Sequence, residues 1–479
     1  MPLWRIMPYE SVTGCKRSRA RPEHHTDAIS GVKEDETMRK IFVFLCGLGL
    51  GGAVQAQSPV FTTLYTFMGG ADGSMQGDLP TGVTLSKSGR LYGVTYAGGA
   101  GYGTVFELSP ASGGTWTKTI LHDFSGPDGA NPDATLVFDS SGTLYGTTQD
   151  GGTDNNGGTV FAMTPPAAAG GTWTESVLYS FNGVYDEPHS PYGGVTLGPS
   201  GSLFGTTYTN ACSDCIGDGA DAIGGTVFKL IPPSSPSGSW TQDTISNVLA
   251  VPNVGQNPYA KVVLDNGSLY GTTALACGAV FEVSPPTASG GGWTSTVIHG
   301  FGGIPDGCNP YAPLVVGPGH VLYGTTGFGG SVGWGTVFQL TPPTAPGGAW
   351  GYSVIWNFTG VDGDGALPTD GLVVGEGGVL YGTAACGGNG TTAFYPCQFS
   401  SATGSGVVFS LTPPATPGGA WSEKILHSFS GGTPDGAAPI AGLTPGPGGV
   451  LYGTTSGGLY FTTTSGGDTQ SGTVFSIQP

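Results

Sequence analysis
Beyond residue 57 the chain is a succession of short stretches in which Val, Leu, Thr, Tyr and Phe alternate with small or polar residues. A period of two buries one face of an extended strand. The breaks between stretches are clusters of Gly, Pro and Asn, which are turn residues. No stretch sustains the 3.6-residue period of a helix, so the pattern predicts an all-β protein with almost no helix.

The stretches recur. LYGTT or a close variant starts at Leu91, Leu144, Leu203, Leu269, Leu322, Leu380 and Leu451. GTVF or a variant follows each, at Gly103, Gly158, Gly225, Gly278, Gly335, Gly406 and Gly472. A segment running from Trp to Phe comes next, as in Trp116–Phe124, Trp173–Phe181, Trp293–Phe301, Trp350–Phe358 and Trp421–Phe429; Trp240 opens a copy that lacks the Phe. A short apolar segment such as TLVFD at Thr135 precedes LYGTT. Four short strands (a, b, c and d in that order) at a repeat of this length predict the blades of a β-propeller. Strands a, b and c occur seven times, but strand d after Trp only six times. Val60–Phe67 resembles the missing copy and is expected to complete the last blade beside Gly472–Ile477, removing an open edge. The competing arrangement is an open array or solenoid. The expected fold is therefore a seven-bladed β-propeller of four-stranded antiparallel blades over residues 57–479.

The repeat LYGTT…GTVF…W…LYSF…DG..P resembles the GloVer-type tandem repeats of exported bacterial proteins, across essentially all of residues 58–479. The resemblance implies export and a repeat architecture, and it brings no catalytic residue to carry over.

Composition changes the picture in two ways. Gly and Pro number 90 and 37 of 479 residues, a level that usually marks low complexity. Here aromatics are 10% of the chain, which a disordered sequence does not carry, and the Gly and Pro fall at repeated turn positions. The formal net charge is −18, and eight of the 14 Lys and Arg precede residue 41, so the repeats are still more acidic. An acidic surface repels phosphate backbones and anionic membranes, which argues against a nucleic-acid binder.

Residues 38–56 read as a secretory signal peptide: Arg39 and Lys40, an apolar run, then small residues ending at Ala56. Residues 1–37 differ in composition and are expected to be a start-site artefact or a disordered extension. After residue 56 no apolar run is long enough to span a bilayer. The expectation is a secreted, extracellular or periplasmic monomer with no membrane insertion.

Candidate chemistry is sparse. In a blade, the b–c and d–a loops leave one face of the ring. The b–c loops vary in length, which makes that face the candidate functional face. The d–a loops carry Asp72, Asp128, Asp186, Asp306, Asp362 and Asp435. Asp-Gly is a turn dipeptide in which Asp caps its own backbone; alternatively the carboxylates circle the channel mouth and hold Ca²⁺ or a polyhydroxyl or cationic ligand. Cys212, Cys215, Cys277, Cys308, Cys386 and Cys397 are expected to form disulfides in an exported chain, with Cys277 to Cys308 and Cys386 to Cys397 as one pairing among 15. His122, His299 and His427 recur in strand d and read as packing residues. No nucleophile elbow, phosphate loop or metalloprotease motif is present. The functional expectation is a non-enzymatic binding module for a glycan, a cell-surface partner or a small ligand, with no cofactor beyond Ca²⁺. The alternatives are a hydrolase or lyase acting on a polysaccharide or lactone at the channel mouth, and a purely structural envelope protein.

Overall fold
Seven four-stranded antiparallel sheets form the blades of a propeller ring. The structure, a computed structural model, describes residues 58–67, 80–168, 170–183, 188–208, 224–235, 238–247, 256–288, 290–345, 347–390, 397, 404–416, 418–431, 435–456 and 472–479. Blade 1 shows the pattern: strand a at Pro80–Leu85, b at Leu91–Thr95, c at Thr104–Pro110 and d at Trp116–Asp123. Strands b and c are buried, whereas strand d alternates between half-buried and exposed positions and forms the outer edge.

The last blade closes as the sequence predicts. Strands a to c are Thr444–Pro445, Leu451–Thr455 and Thr473–Gln478. The fourth strand is Val60–Thr66, paired antiparallel from Val60 opposite Gln478 to Thr66 opposite Thr473. The Phe67 amide extends the ladder to the Gly472 carbonyl at 3.0 Å.

The motifs are packing devices. A Cβ on the glycine of LYGTT would meet the GTVF phenylalanine of its own blade, at 2.6 Å for Gly146 against Phe161 and 2.4 Å for Gly271 against Phe281. Glycine is required because the ring lies flat over the backbone of strand b. The last Thr of LYGTT shares a hydroxyl bond with the Thr of GTVF, at 2.8 Å for Thr95 with Thr104 and for Thr148 with Thr159. The Thr before it reaches the next blade: Thr206 donates to the Ala260 carbonyl at 3.0 Å, Thr272 to Ala312 at 3.0 Å, and Thr454 to Pro80 at 3.1 Å across the closure.

Aromatic rings tie neighbouring blades. The Phe that ends strand d packs edge-on against the GTVF Phe of the next blade, with centroids from 5.1 Å for Phe358 and Phe409 to 5.5 Å for Phe67 and Phe106. Such T-shaped pairs satisfy the ring quadrupoles while excluding water. The blade that lacks this Phe hands the task to Phe204, Ile245 and Val262, which bury with Phe281. The Trp that opens strand d lies against the second residue of LYGTT of the preceding blade, as Trp173 does with Tyr92 at 5.5 Å.

Every c–d pairing carries a bulge between the Val and Phe of GTVF, so Val105 faces His122 while Phe106 faces Ile120. The extra residue re-aims the position two before the terminal Phe. That position holds His122, Tyr179, His299, Trp356, His427 and Tyr65.

Candidate functional site
The inner ends of the d–a loops are set by one Pro per blade, packed on the glycine of GTVF. A Cβ at Gly158 would lie 2.7 Å from Pro191, and one at Gly278 the same distance from Pro310. These glycines have φ of 88° and 79°, a conformation that other residues adopt with strain. In three blades an Asn before the Pro ties the loop to the segment after strand b of the preceding blade: Asn131 donates to the Tyr96 carbonyl at 3.1 Å, Asn257 to Tyr208 at 2.9 Å and Asn309 to Ala274 at 2.7 Å. The residue after the Pro is thereby held near the start of strand a.

That residue is where the repeats diverge. It is Asp133 in blade 2, Tyr192, Tyr259 and Tyr311 in blades 3 to 5, and Thr369 and Ile440 in blades 6 and 7. Tyr208, which follows strand b of blade 3, joins them. Tyr192 lies 5.1 Å from Tyr208 and stacks on Tyr259 at 5.0 Å, and Tyr259 meets Tyr311 edge-on at 5.7 Å. The result is an arc of half-buried tyrosines across blades 3 to 5.

Asp133, whose charge acts on Tyr192, interacts in turn with Asp370, and Asp370 with Lys261. Asp133, Lys261 and Asp370 belong to blades 2, 4 and 6, which are not neighbours. The Asp370 charge nevertheless acts on both of the others. Burial pushes Asp133 up to about 7, helped by the negative charge of Asp370. Burial also raises Asp370, to about 6, against the pull of the Gly371 and Gly442 amides and of Lys261. Burial lowers Lys261, with Asp370 opposing. All three side chains keep partial contact with solvent. Tyr96, on the Asp133 side, is pushed up to about 12 by burial and by Asp133 and Asp150. The site offers aromatic faces, an amine and two carboxyl groups whose proton affinity burial raises.

None of these residues was singled out from the sequence. For Asp133, Tyr192, Tyr259 and Tyr311 the available signal was the change of residue type directly after the repeated Pro.

The carboxylates expected around the mouth lie elsewhere. Asp128, Asp306 and Asp435 bond to the strand-d histidines His122, His299 and His427 at 3.1, 3.1 and 2.7 Å, on the outer part of the blades. Each also caps its own loop: Asp128 accepts from the Ser125 amide, Asp306 from Gly302, Asp435 from Ser430. The cap draws the carboxylate toward strand d and away from the channel. Asp362 is exposed, and Asp364 takes the capping role in its loop, accepting from the Thr359 amide at 2.7 Å. Asp72 and Asp186 lie outside the described residues. The histidines pack as expected, His299 on Tyr352 and His427 on Phe61, both stacked at 3.7 Å, but they are also hydrogen-bond partners of the loop aspartates.

Disulfides join Cys277 to Cys308 and Cys386 to Cys397. The first links the b–c loop of blade 4 to the following d–a loop; the second closes a loop after strand b of blade 6. Cys212 and Cys215 lie outside the described residues. Exposed apolar side chains gather on the same loop face in blades 4 to 6, at Leu275, Ile304, Phe328, Val332 and Val361. A separate depression of about 480 Å³ on the outer edge of the last blade is lined by Phe61, Thr63, Leu64, Tyr65, Thr66 and Asp435. Its one carboxylate is already engaged by His427 and Ser430. Among the described residues no helix is long and apolar enough to cross a membrane.

Fold and repeat together define a seven-bladed propeller assembled from tandem repeats. The sequence matches the Gloeobacter/Verrucomicrobia repeat family over residues 52–217 and 215–458, and the chain belongs to that family. No curated protein matches it. Among solved structures it is similar to PorZ, a bacterial surface component of the type-IX secretion system of Porphyromonas gingivalis, at 14% identity and a TM-score of 0.46, over 83% of this chain and 46% of PorZ. The chain thus spans just under half the length of PorZ. It is also similar to a putative 6-phosphogluconolactonase from Bacteroides uniformis, at 14% identity and a TM-score of 0.43 over 72% of this chain and 83% of the other. An ancestral GH74 enzyme aligns at 10% identity and a TM-score of 0.45, over 84% of this chain and 48% of the other. These likenesses concern the fold alone.

Proposed function
We propose that this chain is an exported, non-enzymatic binding protein whose channel mouth takes a glycan. The observation that carries the reading is the tyrosine arc of Tyr192, Tyr208, Tyr259 and Tyr311 beside Asp133, Lys261 and Asp370. A sugar ring has apolar C–H faces that pack on aromatic rings and hydroxyls that bond to carboxylates and amines, so it uses both halves of such a site. Export is supported by the leader-like segment at residues 38–56 and by the two disulfides.

The test is a glycan array followed by calorimetry on the hit. Tyr259→Ala should weaken binding about tenfold, which corresponds to about 1.4 kcal/mol. Tyr102→Ala, on an exposed loop of blade 1, should leave affinity unchanged. Absence of any glycan ligand, or equal affinity in Tyr259→Ala, overturns the proposal. One observation favours the enzymatic alternative: burial raises the proton affinity of two carboxyl groups, Asp133 and Asp370, that interact electrostatically. Cleavage of a polysaccharide or lactone that Asp133→Asn abolishes would replace binding by hydrolysis or elimination.

A further inference from the structure
The repeat supplies its own control at the outer rim. Three blades present a strand-d His bonded to an Asp of the next loop. In each case strand d of the following blade places one side chain against that pair. Against His299 it is Tyr352, and against His427 it is Phe61, each a flat ring stacked at 3.7 Å. Against His122 and Asp128 it is Glu175, an acid where the other copies have an aromatic ring.

We propose that His122, Asp128 and Glu175 bind one divalent transition-metal ion of the Zn²⁺ type. Among the described residues they are the one group of three His, Cys, Asp or Glu side chains whose donor atoms all lie within 4.8 Å of one another. The His122 Nε2 to Asp128 Oδ2 separation is 3.1 Å. Two ligands at about 2.0–2.1 Å from a tetrahedral Zn²⁺ stand about 3.3–3.4 Å apart, so this edge needs to open by only about 0.2–0.3 Å. Glu175 closes the remaining gap by a side-chain rotation. Its Oε1 is buried and has no hydrogen-bond partner.

The surroundings orient the donors. Asp128 Oδ1 accepts from the Ser125 amide at 2.8 Å and the Ser125 hydroxyl at 3.0 Å, so Oδ2, bonded to His122 Nε2, is the oxygen that would take the ion, which replaces the proton shared between them. The His122 ring is held edge-on by Phe124 at 4.8 Å. Such outer contacts fix ligand geometry in metal sites. His122 and Asp128 remain 21% and 23% exposed, which admits an ion and a water as fourth ligand. One imidazole with two carboxylates suits Zn²⁺ or Mn²⁺, whereas Ca²⁺ and Mg²⁺ prefer all-oxygen sites. An ion here would bridge blades 1 and 2 and is independent of the channel mouth.

The experiment is a ZnCl₂ titration of the EDTA-stripped full chain, read by competition with a chromophoric chelator. Wild type should bind one equivalent, with a rise in melting temperature, and millimolar Ca²⁺ should not compete. Glu175→Gln should weaken binding at least tenfold. Glu175→Tyr, which rebuilds the stacked arrangement of His299 and Tyr352, should fold and lose binding. His299→Gln should keep the wild-type stoichiometry and affinity. No binding by wild type, full affinity in Glu175→Gln, or loss of the site in His299→Gln overturns the proposal.

Discussion

The closure of the ring rests on a strand bonded to one neighbour only, and Phe67 is its anchor. The side chain is 1% exposed. It meets Phe106 of blade 1 at 5.5 Å and Tyr65 at 5.3 Å, and the Lys118 ammonium sits 4.5 Å above its ring. Phe67→Ala removes the ring and leaves a cavity between the last and first blades, at a cost of about 3–5 kcal/mol. With an unfolding entropy of about 2.1 cal/mol/K per residue over roughly 420 residues, that cost lowers the melting temperature by about 3–6 °C. The equivalent Phe358→Ala creates a like cavity at the junction of blades 5 and 6, where both blades are covalently continuous. The two variants should therefore differ in local opening more than in overall cost. In Phe67→Ala the amides of Val60–Thr66 and their partners in Thr473–Gln478 should lose hydrogen-exchange protection well below the melting temperature. In Phe358→Ala the closing strands should stay protected. Calorimetry and exchange by mass spectrometry read both quantities. A Phe67→Ala protein that melts with wild type and keeps Val60–Thr66 protected would refute the view that this strand holds the ring shut.

Two further outcomes follow from the packing and the charges. Gly146→Ala drives a Cβ to 2.6 Å from Phe161 and 2.7 Å from Leu136, so chemical denaturation should show a loss of about 1–3 kcal/mol, while Gly292→Ala, with nothing within 4 Å, should be neutral. Glu423 is pushed up to about 8 by burial and by its hydrogen-bonded neighbour Asp364. A folded-state value above the unfolded one means that the folded chain holds the extra proton, so stability falls as pH rises from about 4.5 to 8. Glu423→Gln removes that loss and can donate to Asp364. Its melting temperature should exceed wild type at pH 8 and match it at pH 4; a lower value at pH 8 would contradict this.

The motifs that made the propeller legible are those that pack. LYGTT, GTVF and the Trp-to-Phe segment repeat because each copy meets the same neighbours: a ring over a glycine, a hydroxyl on a hydroxyl, a Phe against the next blade's Phe. Identical surroundings enforce identical residues, and a linear reading can count them. Even the N-terminal strand was found that way, since Val60–Phe67 must satisfy the contacts of a sixfold-repeated strand.

The candidate sites are legible only where the repeat breaks, and a break has no meaning until its location is known. Asp128, Asp306 and Asp435 look in sequence like a ring of carboxylates, yet each is drawn to a strand-d histidine at the rim. Tyr192, Tyr259 and Tyr311 look like ordinary loop residues, yet each follows a Pro packed on a positive-φ glycine and the three meet in one arc. The sequence by itself determined the blade count, the strand order and the closure, because these follow from local pattern and counting. Only the tertiary structure decided which charged groups face one another, because Asp133, Lys261 and Asp370 lie more than 100 residues apart in sequence and come within electrostatic reach solely through closure of the ring.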